Sequence, residues 1–347
     1  MLTDITITSG DGRCVLLSAV AGTSVDIVHA LLEHATARGV DAGTGDKDGW
    51  SPLHEATVLN QPAILQLLVD YHIKYGKGSV DIRLDETYPT PLISAIGRGS
   101  ADCATILLRA GAAADQLTTA GWQNHQLLQG GRTADVRALV AAVQSHLDDE
   151  SSAALCASLL EHGARVDARC ECSDADVDGA TALLVASGLK KPSTVAVLLR
   201  HGASTQLRNT FHQTALHRAA VCGCVESVKL LLAAPDCEID AVTNELRSAL
   251  HLAIASNRPR VVRELILGGI NIELRDKDGW TVLQSAAATK TDPRFLPLAL
   301  LVAAGADLDT VADLDTVALE GIFSHSLRGS ARQQDRCDNA GGRRLQR

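Results

Sequence analysis

Residues 214–220 read Thr214-Ala215-Leu216-His217-Arg218-Ala219-Ala220, and the Leu-x-x-Ala spacing inside this stretch recurs along the 347-residue chain. It is found at Leu53…Ala56, Leu92…Ala95, Leu183…Ala186, Leu216…Ala219, Leu250…Ala253 and Leu283…Ala286. The last four leucines follow one another at intervals of 33, 34 and 33 residues. A fixed period of this size predicts a stack of small repeated units.

Each repeat is predicted to contain two short antiparallel helices. The first opens at Thr214 and ends at Gly223, and the second covers residues 225–233. The apolar residues of the second helix fall on one stripe, at Val225, Val228, Leu231 and Leu232. Two such helices cannot bury their apolar faces alone, but they can when they stack against copies of themselves.

These residues resemble the ankyrin-repeat family, whose pattern is roughly Asp-x-x-Gly-x-Thr-Pro-Leu-His-x-Ala-Ala, then a Leu-Leu helix and Gly-Ala-Asp. The matching stretches are Asp46-Lys47-Asp48-Gly49-Trp50-Ser51-Pro52-Leu53-His54-Glu55-Ala56, Asp276-Lys277-Asp278-Gly279-Trp280-Thr281-Val282-Leu283, Leu216-His217, Leu250-His251 and Gly305-Ala306-Asp307. The resemblance implies an all-α solenoid of stacked helix pairs joined by β-hairpin fingers, with a concave binding face.

The resemblance also divides the chain into three parts. Residues 1–13 are an N-terminal extension, and residues 14–322 are the solenoid, with about seven full repeats plus caps. Residues 323–347 are a basic tail that lacks periodicity; we expect it to be disordered, to be a short linear motif that a partner binds, or to fold onto the acidic solenoid.

The array is expected to be irregular near residues 123–151, because 91 residues separate Leu92 from Leu183. Either residues 123–132 are a long insertion in a finger, or residues 133–147 form an extra helix. Two smaller additions, at the ends of the first two repeats, are expected to lengthen the fingers that follow them: Ala35 to Arg38 and Tyr71 to Gly78.

Composition restricts the class of protein. No apolar stretch reaches the ~18 residues that a membrane-spanning helix needs, and residues 1–13 lack the order of a secretion signal. We therefore expect a cytoplasmic protein, with the nucleus as the alternative location, and no membrane partner. The nine cysteines are irregularly spaced, which favours reduced thiols over a disulfide scaffold.

The charge is negative and uneven. The chain has a net charge of −9, but residues 321–347 hold six Arg against two Asp, a balance of +4, so the remainder carries about −13. An acidic body repels phosphate backbones, which makes nucleic acid a poor candidate partner. We expect a protein partner with a basic patch.

The three tryptophans occupy one position of the repeat. Trp50, Trp122 and Trp280 each follow the Gly of a predicted finger, a position that the resemblance assigns to partner contact. Tryptophan often dominates binding energy; the alternative is that each indole only covers a neighbouring finger. The candidate partner-binding residues are these tryptophans, the charged residues beside two of them, and the equivalents in two other repeats: Asp46, Lys47, Asp48, Asp276, Lys277, Asp278, Gln213 and Arg247.

Histidines and cysteines recur without a metal-binding pattern. Packed helices lie ~8–10 Å apart, whereas zinc ligands lie ~2 Å from the ion, so His54, His217 and His251 cannot share a metal. The resemblance implies instead that this histidine hydrogen-bonds backbone between adjacent fingers. Cys170-x-Cys172 and Cys222-x-Cys224 have a spacing too short for zinc sites, and we expect no metal and no cofactor.

These observations predict a non-enzymatic scaffold or adaptor that binds a protein through its fingers and concave face. No catalytic motif is complete, since His54-Glu55 lacks the second histidine of a zinc protease. The alternative is a substrate-recognition subunit of a ubiquitin ligase complex, because some ankyrin arrays are joined to adaptor-binding boxes. Residues 324–347 are Arg-rich with few apolar residues and do not resemble such a box.

Overall fold

The computed structural model describes residues 14–38, 50–75, 80–81, 90–115, 117–118, 136–170, 179–288 and 296–306. The chain forms two compact blocks, an N-terminal block of residues 1–210 and a C-terminal block of residues 211–347. The expected N-terminal extension and basic tail lie outside the described residues, and their assignment stays a prediction.

Helices dominate the described part of both blocks. The N-terminal block contains, in chain order, α1 (Val15–Ala21), α2 (Val25–Arg38), α3 (Pro52–Val58), α4 (Pro62–Tyr75), α5 (Pro91–Arg98), α6 (Ala101–Arg109), β1 (Leu117–Thr118), β2 (Val136–Arg137), α7 (Ala138–Gln144), α8 (Asp149–Glu161), α9 (Ala182–Gly188) and α10 (Pro192–Arg200). The C-terminal block contains α11 (Ala215–Cys222), α12 (Val225–Leu232), α13 (Ala249–Ala255), α14 (Pro259–Leu267), α15 (Val282–Ala288) and α16 (Leu296–Ala303).

The helices pair in chain order, and the pairs stack within each block. The first helices of the pairs form one layer, in which α1, α3, α5, α7 and α9 follow one another, as do α11, α13 and α15. The second helices form the other layer, from α2 to α10 and from α12 to α16. The predicted all-α solenoid of helix pairs is confirmed.

Local sequence sets where the helices begin and end. The side chains of Ser51, Thr90 and Ser248 accept hydrogen bonds from backbone N–H groups three residues further on, which starts α3, α5 and α13. Proline opens α4, α10 and α14, where its missing N–H leaves no helical bond unmade. Gly223, at a φ of 81°, ends α11 at the predicted residue.

The recurring Leu-x-x-Ala residues form the core between the pairs. In all six copies the Leu and the Ala are buried, with no more than 3% of their surface exposed. The small alanine lets neighbouring first helices approach closely, while the leucine fills the space between the layers. The Leu-x-x-Ala motif therefore provides the buried apolar residues through which neighbouring helix pairs pack.

The expected irregular stretch contains a regular helix pair. Helices α7 and α8 pack between the pairs α5/α6 and α9/α10. Val136, predicted on the helical stripe, lies in β2 instead, where it pairs antiparallel with Thr118 of β1. Residues 119–135 between the strands, including Trp122, lie outside the described residues. The 123–151 boundary stays a prediction, but residues 138–151 belong to the stack.

The additions at the ends of the first two repeats are helical over residues 35–38 and 71–75, so these residues do not lengthen the fingers as expected, while residues 76–78 lie outside the described residues. Helices α2 and α4 each run for 14 residues, whereas the other second helices run for 8 to 13. The extra turns contain helix-compatible contacts: the Thr36 hydroxyl donates to the Leu32 carbonyl at 2.8 Å, and the Tyr71 and Tyr75 rings lie 4.9 Å apart.

One cysteine departs from the expected reduced state. Cys170 is disulfide-bonded and fully buried. It lies at the base of a finger, where its backbone exchanges hydrogen bonds with Gly179 and Ala180. Cys172 lies outside the described residues.

A lysine ties the fourth and fifth repeats together. The Lys191 ammonium, in the turn before α10, donates to the carbonyl oxygens of Val143 at 2.9 Å, Ser145 at 3.2 Å and Leu147 at 3.1 Å, and to the Ser152 hydroxyl at 2.7 Å. Val143 lies in the last turn of α7 and Ser145 and Leu147 follow it, in the region where carbonyl groups lack helical partners. Burial lowers the pKa of Lys191 below its ordinary value.

An aspartate makes the reciprocal contact between the same repeats. The Asp149 carboxylate accepts the backbone N–H groups of Ser193 at 2.6 Å and Thr194 at 3.0 Å, at the start of α10. Burial alone raises the pKa of Asp149, but the hydrogen bonds from Thr194 and Ser193 outweigh it and leave the pKa below its ordinary value. Each repeat therefore satisfies free backbone groups of the other.

We predict that Lys191→Met lowers the free energy of unfolding by about 1–3 kcal/mol, because several backbone carbonyls lose a charged donor. The measurement is urea denaturation followed by circular dichroism. The matched control is Lys190→Met at the exposed neighbouring residue, which we expect to change little. Equal effects of the two substitutions would contradict the assigned role of Lys191.

Candidate functional site

The C-terminal block presents three finger loops, residues 211–213, 242–247 and 275–280, one before each first helix. Antiparallel bridges close the last two loops, between Val242 and Ser248 and between Arg275 and Thr281. The loops are also joined to one another through backbone. The Asn244 N–H donates to the Phe211 carbonyl at 3.3 Å, and the Lys277 N–H donates to the Glu245 carbonyl at 3.0 Å.

The recurring histidines hold these loops against the helices. His251 Nδ1 accepts the Ser248 backbone N–H at 3.3 Å, which leaves the proton on Nε2, and Nε2 faces the Trp280 carbonyl of the next loop at 3.5 Å. His217 Nε2 lies 3.2 Å from the Arg247 carbonyl in the same way. The predicted structural role of this histidine, bonding backbone between adjacent fingers, is confirmed at both residues.

Of the two predicted contact tryptophans within the described residues, Trp280 is the one that is exposed to solvent. Its side chain is 41% exposed, and among the described residues its indole makes no hydrogen bond and no ring contact. Its backbone, in contrast, is fixed. The Trp280 carbonyl accepts from the Asp276 N–H at 2.9 Å, and its N–H donates to the Asp276 carboxylate at 3.0 Å.

The charged residues beside Trp280 differ in role. Asp276 is buried, and its carboxylate also accepts the Asp278 N–H at 3.0 Å, so it organises the turn. The Lys277 ammonium lies 3.0 Å from Glu245, and the Arg247 guanidinium lies 3.2 Å from the same carboxylate. The hydrogen bond from Lys277, with the Arg247 and Lys277 charges, lowers the pKa of Glu245. Asp278 is exposed.

The remaining predicted contact residues are less exposed or lie elsewhere. Trp50 is half-buried, since its indole N–H donates to Glu55 at 2.6 Å and its ring centre lies 5.2 Å from that of His54. Gln213 is also half-buried, immediately before Thr214. Asp46, Lys47, Asp48 and Trp122 lie outside the described residues. Trp50 and Trp280 belong to different blocks.

Two exposed apolar residues of the finger loops were missed by sequence reasoning. Phe211 is 43% exposed and Leu246 is 49% exposed. A signal was present in the sequence. Alignment on the capping Thr or Ser places Leu246 where Gly279 stands in the next repeat, and a large apolar residue is unusual at a turn glycine.

Within the described residues, no three His, Cys, Asp or Glu side chains are grouped so that they could hold a metal ion. None of the described helices is both long and apolar enough to cross a membrane. The finger loops expose aromatic and aliphatic side chains and paired charges, which are suited to non-covalent contact with another molecule.

Family models match most of the stack. The model described as ankyrin repeats (3 copies) matches residues 1–79 and 139–244, and the single ankyrin repeat model matches residues 245–277. Together they cover more than half of the chain. Residues 80–138 are unmatched, although α5 and α6 form a regular helix pair there.

Two known proteins are similar to this chain in sequence. The chain is 28% identical over 240 residues to ankyrin repeat domain-containing protein SAT10 of Stachybotrys chartarum, covering 69% of this chain and 11% of that protein. It is 26% identical over 333 residues to E3 ubiquitin-protein ligase KEG of Arabidopsis thaliana, covering 79% of this chain and 19% of that protein. The chain thus spans less than a fifth of the length of either relative.

A solved structure shares the fold. The human ASB11 ankyrin repeat domain superimposes with a TM-score of 0.54 at 24% identity, covering 73% of this chain and 97% of that one. At this identity the match describes the fold alone.

We predict that the C-terminal block loses stability as the pH falls below the ordinary histidine value of 6.5, because burial lowers the pKa of His251. Between 6.5 and the lower folded value, the unfolded chain binds a proton that the folded chain does not bind, so acid favours unfolding. Above 6.5 this contribution is fully present.

The measurement is urea denaturation of the full chain at several pH values, comparing wild type with His251→Gln. The variant should be less stable near neutral pH and should show a weaker loss on acidification. His201→Gln, at an exposed residue, is the control for histidine content. Identical pH profiles of wild type and His251→Gln would contradict this account.

Proposed function

The chain belongs to the ankyrin-repeat family, and we propose that it is a non-enzymatic adaptor that holds a protein partner on its finger loops and on the concave face expected for the family. Ankyrin repeats are in general protein–protein interaction modules, so protein binding is the coarse function of the chain. The finer function rests on the finger loops of the C-terminal block.

The observation that carries the proposal is the contrast between the backbone and the side chain of Trp280. Its backbone is held at both ends, by Asp276 and by the His251 link, while its indole is exposed. A contact residue on a fixed backbone loses little conformational freedom when it binds, so more of the contact energy appears as affinity. Tryptophan is also among the residues that most often dominate interfaces.

The interactions that the candidate residues already make within the chain separate those proposed to contact the partner from those that support the loops. We propose direct contact for Trp280, Asp278, Lys277, Arg247 and Gln213. Asp276 supports the loop from beneath. Trp50 is satisfied within its own repeat by Glu55 and His54, so its contribution is weaker. Asp46, Lys47, Asp48 and Trp122 remain sequence-based candidates.

The class and place of the partner follow from charge and composition. An acidic body favours a protein with a basic patch and disfavours nucleic acid. We propose a cytoplasmic or nuclear protein without a cofactor, whose partner is not a membrane. The second function, substrate recognition in a ubiquitin ligase complex, draws on a relative named as an E3 ubiquitin-protein ligase. No residue of the described loops favours it, so it enters as an outcome of the test.

We predict that Trp280→Ala releases protein partners in affinity purification from cells, with an affinity loss of about 30-fold or more for a dominant contact. Trp50→Ala should retain those partners but unfold at a lower temperature, because it removes the 2.6 Å bond to Glu55. Partner lists from quantitative mass spectrometry and thermal melts by circular dichroism provide the two measurements.

The matched control is Leu267→Ala, which removes a side chain that is 70% exposed at the end of α14 and is not part of a finger loop. Retention of every partner by Trp280→Ala, or equal losses in Leu267→Ala, would refute binding through the fingers. Recovery of a cullin scaffold with the wild-type chain would favour the ligase function instead.

A further inference from the structure

The backbone at Leu246 adopts a conformation that its side chain disfavours. Its φ is 56°, in the left-handed region, where the equivalent residue of the next finger is Gly279 at 81°. A non-glycine residue in this region carries a strain of about 1–2 kcal/mol. The Leu246 side chain recovers little of it by burial, since 49% of its surface is exposed. The fold therefore gains nothing evident from leucine at this turn.

Leu246 is one of three large apolar side chains exposed on successive loops. Phe211 precedes it by one finger and Trp280 follows it by one finger. The backbone bonds from Asn244 to Phe211 and from Lys277 to Glu245 hold the three loops side by side. We call Phe211, Leu246 and Trp280 the finger row. An ordered row of apolar side chains on rigid loops is a feature of interaction surfaces.

The charged residues around the finger row differ in whether another group of the loops already pairs with them. Glu245 forms ion pairs with both Lys277 and Arg247, and Arg275 donates to the Gly279 carbonyl at 2.8 Å. Asp276 is engaged by backbone N–H groups. Among the described residues, the exposed Asp278 carboxylate contacts no cation. It lies two residues before the exposed Trp280 in the same finger loop.

An indole and a carboxylate together fit a guanidinium group. The face of tryptophan attracts a cation more strongly than other aromatic rings do, and a carboxylate can accept two parallel hydrogen bonds from arginine. The other two members of the row offer only apolar contact. The finger row is therefore suited to bind apolar side chains at Phe211 and Leu246 and an arginine side chain at Trp280.

The spacing of the fingers fits an extended chain. Antiparallel bridges close the loops at residues 242–247 and 275–280, and two strands lying side by side occupy ~9.5 Å, which we take as the spacing from one finger to the next. Three residues of a polyproline II chain cover ~9.3 Å and bring the third residue back to the same face. A chain in this conformation can place one side chain on each finger.

We propose, resting on the function proposed above, that the finger row and Asp278 bind an extended segment of the partner protein with anchor residues three apart, apolar at Phe211 and Leu246 and arginine at Trp280. The strain at Leu246 is the cost of presenting the middle contact. The occupant is a segment of another protein, recognised by its alternation of apolar anchors and arginine.

The test is fluorescence anisotropy of labelled synthetic peptides added to the full chain. The probe peptide carries Leu, Leu and Arg at every third position, separated by Pro and Ser. One comparison peptide replaces the Arg by Glu, and another replaces both Leu by Ser. We expect the probe to bind at least about tenfold more tightly than either comparison peptide.

Variants separate the finger row from the general acidity of the chain. Asp278→Lys and Trp280→Ala should each weaken the probe about tenfold or more. Glu161→Lys makes the same change in net charge at the exposed end of α8 and should leave binding unchanged. An equal loss in Glu161→Lys would show diffuse attraction and overturn the proposal.

Leu246→Gly gives a readout that a structural role would not produce. It removes the left-handed strain, so we expect a higher Tm together with weaker probe binding. A raised Tm with unchanged affinity would overturn the role of Leu246.

Two further outcomes decide the occupant. A peptide of residues 324–347 that displaces the probe at lower concentration than the unlabelled probe would make the tail of this chain the occupant and overturn the choice of a partner segment. Absence of probe binding, with partners in cells still lost from Trp280→Ala, would overturn this inference and leave the proposed adaptor function standing.

Discussion

A pair of short helices cannot hide its own apolar surface, and the rest of this structure depends on that constraint. Each pair offers one leucine and one alanine to its neighbour, and both are buried at every copy of the motif. Burial of one leucine contributes about 1.5–3 kcal/mol, which is small against the entropy of ordering a repeat. Stability therefore accumulates along each block, because every added pair covers the exposed stripe of the previous one.

Stacking also places backbone groups of one repeat within reach of side chains from the next. In the N-terminal block, Lys191 and Asp149 each bind backbone groups of the repeat to which the other belongs. In the C-terminal block, Arg258 donates to the Val221 carbonyl at 3.0 Å. His217 and His251 do the same at the fingers. These polar bonds select one register between repeats, which the non-directional leucine contacts alone do not, and they leave the finger backbones fixed before any partner arrives.

Periodicity in the sequence was sufficient to predict the helix pairs and their ends, because these follow from residues close together in the chain, whereas the role of the structural histidines came from the resemblance to the ankyrin-repeat family. Periodicity failed where the period changed. Leu139 and Ala142 repeat the Leu-x-x-Ala spacing and are buried in α7, but they lie 47 residues after Leu92 and 44 before Leu183, outside the expected interval. The last turns of α2 and α4 were assigned to fingers, although Gly39 and Gly76, which directly follow these helices in the sequence, are a local signal of a helix end. Exposure of Phe211 and Leu246 depends on contacts between repeats, which a pattern along the chain does not contain.

The division of labour within a repeat explains where function can reside. Residues at the motif and the caps are committed to the stack, so a change there alters stability before it alters binding. The finger apex has its backbone held by neighbours, while the side chains of Leu246 and Trp280 there are exposed. A large residue can therefore occupy a strained turn at Leu246, because a penalty of about 1–2 kcal/mol is small beside the summed burial of a whole block. A repeat array thus concentrates recognition at positions where the side chain contributes least to the stability of the fold.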